Sequence, residues 1–110
     1  MKLWIDDVRP APDTGNWVTI QSVDEAKEII CLVERMCEYF CRSCVIELID
    51  IDHDAGEYAQ CGGDYIKLLD WLEETGRNYP IRIHSMNPVG AANMRRIIQR
   101  NGWREVYALD

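Results

Sequence analysis

Short apolar runs alternate along this chain with longer stretches in which apolar residues return every three or four positions. Leu3 to Ile5 is β-prone and stops at Asp6-Asp7, and a turn-rich loop from Arg9 to Asn16 follows, its two prolines discouraging a helix. Trp17 to Ile20 predicts a second strand. Ser22-Val23-Asp24-Glu25 then reads as a capping box that opens a helix, with Ala26, Ile29, Ile30, Val33, Met36 and Phe40 on its inner stripe. Val45 to Ile51 is mostly apolar, as suits a central strand of a parallel sheet, and runs into Asp52-His53-Asp54. Asp64 to Thr75 predicts a second helix stopped by Gly76. Ile81 to His84 is a fourth strand ending at Ser85, and Asn87-Pro88 caps and opens a third helix that Gly102 terminates. Glu105 to Leu109 completes the expectation as a fifth strand.

Strands that alternate with helices imply a parallel α/β sheet joined by crossovers. With strand order 2-1-3-4-5, the three crossovers run in one direction, and right-handedness places all three helices on one face. Ile81 and Ile83 then point to that face while Arg82 and His84 point to the other. The helix-free face is expected to be covered partly by the Arg9–Asn16 loop and partly by a second copy or another protein.

The chain has 110 residues, 47% hydrophobic and 28% charged, which fits one globular domain over residues 1–110. No apolar run is long enough for a bilayer, and no signal-peptide layout opens the sequence, so a cytoplasmic protein without membrane contact is the default expectation. A net charge of −7 argues against a broad nucleic-acid surface but leaves room for a local contact with one phosphate. Of five cysteines, Cys37, Cys41 and Cys44 have a C-x3-C-x2-C spacing also used for iron–sulfur clusters. Their place at the end of a helical pattern favours thiols acting as small apolar residues.

In a parallel sheet the ligand site lies beyond the carboxyl ends of the strands. That edge collects Asp6 and Asp7, then Asp52 to Asp54, then Ser85, and the start of the Pro88 helix offers free N–H groups to an anion. Three converging carboxylates repel one another, and a hard cation such as Mg²⁺ or Mn²⁺ is the simplest remedy. Asp7, Asp52 and the backbone carbonyl of Asp54 are the expected ligands, with Asp6 behind them or bound through water. His53 and His84 are the chain's two histidines, and both fall on this edge.

Paired acids after strand 1, an Asp after strand 3 and a Ser after strand 4 resemble the phospho-acceptor and magnesium site of response-regulator receiver domains. More closely, Leu3-Trp4-Ile5-Asp6-Asp7-Val8-Arg9-Pro10, Asp52-His53-Asp54 and His84-Ser85-Met86-Asn87-Pro88-Val89-Gly90, with Asn93-Met94-Arg95-Arg96, resemble the cyclic-phosphate processing receiver family. The resemblance implies a receiver-like (flavodoxin-like) sheet. Against an ordinary receiver the sequence departs in three ways: no helix between strands 1 and 2, no fifth helix after strand 5, and no lysine near the end of strand 5. It further implies that the partner is a phosphate-bearing small molecule or nucleic-acid end, such as a 2′,3′-cyclic nucleotide. In that reading Ser85 and the Val89 and Gly90 amides hold phosphate oxygens, aided by Asn87 and Arg9, while His53, His84 and Asp52 carry the chemistry. The alternative is a non-enzymatic signalling or ligand-sensing module with Asp52 at the acceptor position. Arg95, Arg96 and Arg100 read as a solvated helix face.

Overall fold

A computed structural model describes residues 1–39 and 45–107. Cys41 and Cys44 of the cysteine triplet, and the last residues of the expected fifth strand, lie outside them.

Four parallel strands, β1 (Lys2–Ile5), β2 (Trp17–Ile20), β3 (Leu48–Ile51) and β4 (Ile81–Ile83), form a sheet in the order β2-β1-β3-β4. The helices are α1 (Val23–Tyr39), α2 (Ile66–Glu74) and α3 (Pro88–Asn101), and a short 3₁₀ turn spans Gly56–Gln60. As expected, β1 and β2 are joined without a helix. Among the described residues the sheet has four strands rather than five. After Gly102 they pair with β4 through a parallel bridge between Ile81 and Glu105, with Ile81 N–H donating to Arg104 O and Val106 N–H to Ile81 O. The Glu105 carboxylate also accepts from Arg95 Nε at 2.7 Å, which ties this segment to α3.

Alternation decides the layers. Leu3, Ile5, Ile20, Ile49, Ile51 and Ile81 share one buried cluster with Ala26 and Ile30 of α1, Leu68, Leu69 and Leu72 of α2, and Met94, Ile97 and Ile98 of α3. The three helices therefore stack on one face, α2 touching both others. Register sets Trp4 beside Asp50 and Asp50 beside Arg82 on the opposite face. That face is not bare: Trp4 is 7% exposed and Asp50 fully buried. The loop after β1 covers it, with Trp4 Nε1–H donating to Arg9 O at 2.8 Å, Trp17 Nε1–H to Thr14 O at 2.8 Å, and Lys2 N–H to Asn16 O at 3.1 Å.

Local chemistry fixes where the helices begin. Ser22 Oγ accepts from Glu25 N–H at 3.1 Å, while Glu25 Oε1 accepts from Gln21 N–H at 3.2 Å, so the box closes one residue ahead of the serine. At α3, Asn87 Oδ1 accepts from Gly90 N–H at 2.9 Å, with Pro88 following as the first helical residue. Gly102 ends α3 in the left-handed region, at φ 66°.

Candidate functional site

The strand ends bring Asp6, Asp52 and His84 together, with one donor atom of each within 4.8 Å of the others. Asp6 is buried and well bonded. Its Oδ1 accepts from Val8 N–H at 3.0 Å and Arg9 N–H at 2.9 Å, an Asx turn that bends the chain immediately after β1, and its Oδ2 faces His84 Nε2 at 2.9 Å. Burial works to raise the Asp6 pKa, but the two backbone N–H bonds and the histidine outweigh it and hold the carboxyl below its ordinary value. Asp7 is in the opposite position. Burial raises its pKa, opposed by a backbone hydrogen bond, and the charges of Asp6 and Asp52 push it further up.

Asp52 closes the group, with Oδ1 accepting from His53 N–H at 2.8 Å and Oδ2 turned toward Arg9 Nη2 at 3.7 Å. Arg9 also lies 3.6 Å from Asp6 Oδ2 through Nε, and its Nη1 donates to His84 O at 3.4 Å. This half-exposed guanidinium supplies positive charge to the acids from the outside.

Of Asp54, whose backbone carbonyl is the expected ligand, the side chain is engaged elsewhere. Its Oδ1 faces His53 Nδ1 at 2.9 Å and its Oδ2 accepts from Asn87 Nδ2 at 3.5 Å, so its side chain bridges β3 to the start of α3. The Asp7 carboxylate lies against Gly56, where an added Cβ would come within 2.4 Å of Oδ2. The positive φ of 56° there favours glycine as well.

The two histidines have different surroundings. His84 is held on every side: Nδ1 faces Asp50 Oδ1 at 2.6 Å, Nε2 faces Asp6, and Trp4 stacks on the ring at 4.0 Å with planes 3° apart. His53 bonds Asp54 through Nδ1, and its Nε2 has no partner among the described residues. The His53 ring abuts Gly90 so closely that a Cβ at position 90 would lie 2.5 Å from its Cγ. Glycine in the first turn of α3 is thus what lets the histidine reach the helix end.

On the phosphate side, Ser85 Oγ accepts from Asn87 N–H at 3.0 Å, and the Gly90 N–H is already used by the Asn87 cap. Val89 is 72% exposed at the same turn, and Val8 and Met86 are equally open in the neighbouring loops. Arg95, Arg96 and Arg100 are engaged by Glu105, Asn93 and Glu73 respectively. Sequence reasoning missed Asp50, although a carboxylate set between Ile49 and Ile51 in a buried strand was a visible anomaly. Its register partner Arg82 was the matching signal.

The donor set suits a hard divalent cation: Asp6 and Asp52 oxygens converge, and Asp7 adjoins them, its pKa raised by burial and further by the charges of Asp6 and Asp52. No curated protein and no solved structure matches the chain. A family model does, over residues 1–100, and the chain belongs to the family it describes, the cyclic-phosphate processing receiver domain.

Proposed function

We propose that this protein binds a cyclic phosphate, such as a 2′,3′-cyclic nucleotide or RNA end, at the edge formed by Asp6, Asp7, Asp52, His53 and Ser85, and opens it by hydrolysis with help from Mg²⁺ or Mn²⁺. The observation that carries the reading is the junction of an acidic cluster with a helix start through the Asp54–His53 pair. Asp7 and Asp52 would hold the ion, with Asp6 behind them. The ion, when bound, supplies charge neutralisation to the phosphate oxygens.

The remaining work falls to the chain's own side chains. Ser85, Asn87 and the first turn of α3 receive non-bridging oxygens, and Arg9 swings between the acids and the phosphate as the second positive group. Val8, Met86 and Val89 offer an apolar rim for the non-phosphate part of the ligand. Water attacks phosphorus, the bond to one ring ester oxygen breaks, and that oxygen takes a proton. His53, oriented by Asp54 and with Nε2 unpartnered, is the group placed to carry it. His84, bonded at both nitrogens, is not.

Incubation with 2′,3′-cyclic nucleotides and Mn²⁺ is expected to release nucleoside monophosphate, with the rate falling by a factor of about 10² or more in His53→Ala. Neither turnover nor saturable binding in the wild type would sink the reading. One oxygen of Asp52 also faces outward toward Arg9, which favours a second reading as a phospho-accepting signalling module. Stable labelling of Asp52 by acetyl phosphate, without nucleotide turnover, would establish that one instead.

A further inference from the structure

Asp50 has no exposure to solvent, and it sits on the side of the central strand that carries no helix. A buried carboxylate costs several kcal/mol unless its oxygens are satisfied (about that order for a lone ion). Arg82, directly across from it on β4, reaches it through Nη1 alone, at 3.1 and 3.3 Å, and leaves its own Nε buried without a partner. The ion pair is therefore not a two-pronged fit. The shortest bond that Asp50 makes goes to His84 Nδ1, at 2.6 Å.

From there the contacts continue toward the site. His84 passes from Asp50 to Asp6, and Asp6 uses its other oxygen to fix the N–H groups of Val8 and Arg9. The turn so fixed carries Asp7 and Arg9. The His84 ring thus faces a carboxylate oxygen at each nitrogen. Trp4 stacked on its face prevents it from turning. Basic and acidic side chains alternate along the whole path, Arg82, Asp50, His84, Asp6, Arg9, Asp52.

We infer that Asp50 is a positioning residue: from the helix-free face it locks the His84 ring with both nitrogens committed, and through Asp6 it sets the turn that presents Asp7 and Arg9 to the ligand. His84 then serves as a fixed brace under the acids. The metal arm of the test rests on the function proposed above, and the spectroscopic arm is independent of it.

Two variants separate this role from that of a plain structural ion pair. Arg82→Met keeps Asp50 and its bond to His84. Asp50→Leu combined with Arg82→Met removes the acceptor and leaves no buried charge unpaired on the sheet, a replacement that proteins commonly tolerate. In ¹⁵N-histidine spectra at constant pH, wild type and Arg82→Met are expected to share the same His84 ring resonances. The double variant is expected to show a displaced Nδ1 resonance, and its Mn²⁺ affinity should fall by a factor of about 10 or more against Arg82→Met, the size usual for a residue supporting a metal ligand. Identical His84 spectra in both variants would overturn the proposal. Should Mn²⁺ bind none of the three proteins, the metal reading fails, and the ring signals still decide the role of Asp50.

Discussion

Burial and the charges of Asp6 and Asp52 raise the pKa of Asp7, so ionising it above the ordinary carboxylate range opposes folding. Asp7→Asn removes that opposition. At pH 7 in EDTA the variant is expected to be more stable by about 1 kcal/mol, a rise of roughly 4–8 °C in melting temperature for a domain of this size, while losing stabilisation by Mg²⁺. Thermal melts with and without the ion check both halves. Asp6 has the opposite sign. Its folded pKa is lowered, so its contribution is present above the unfolded value near 3.8 and is lost as pH falls through the lower folded value. Acid titration of Asp6→Asn should accordingly show a shallower loss of stability below about pH 4 than the wild type. At this scale the sequence announced the acids, because adjacent carboxylates at strand ends are conspicuous. Alternation set His84 on the helix-free side, but the partners of the two histidines, Asp50 and Asp54, were not legible, since those bonds are made only on folding.

Between elements, the tie from α1 to the segment entering β4 is polar. Arg77 forks onto Glu34 with bonds of 2.9 to 3.1 Å, lies 4.3 Å over the Trp71 ring, and is joined there by the Tyr79 hydroxyl, which also bonds Glu34. Burial would raise the Glu34 pKa, and the Arg77 and Tyr79 bonds bring it below normal instead. Arg77→Ala is expected to cost about 2 kcal/mol in urea unfolding at pH 7, as for a partly buried, charge-assisted pair. Gly90 makes a different prediction. Helix propensity alone favours alanine over glycine by about 1 kcal/mol, yet a Cβ there meets the His53 ring. Gly90→Ala should therefore destabilise by about 1–3 kcal/mol and abolish turnover, and a stabilised variant would deny the contact. Helix periods, caps and stops were legible as local chemistry: Asn87, Pro88 and Gly102 do what their types dictate. Of the fifth strand, the described residues form only the bridge from Glu105 to Ile81, a long-range pairing that a local pattern does not fix.

Across the molecule, the alternation of strands and helices, with right-handed crossovers, was enough to place three helices on one face and the acids on one edge. The Arg9–Asn16 loop was expected over part of the other face; what stayed illegible was how that cover is held. Trp4, Trp17 and the loop to Asn16 do much of that, by side-chain N–H bonds to loop carbonyls that no periodicity encodes. The acidic edge also has a consequence for kinetics. A chain of net charge −7 repels a phosphate at long range and attracts a divalent cation, whatever its local contacts favour. Ionic strength should therefore act in opposite directions on the two encounters: between about 0.01 and 0.15 M salt, as the screening length shrinks from roughly 30 to 8 Å, stopped-flow association of Mn²⁺ should slow while that of an anionic nucleotide, in the metal-free protein, quickens.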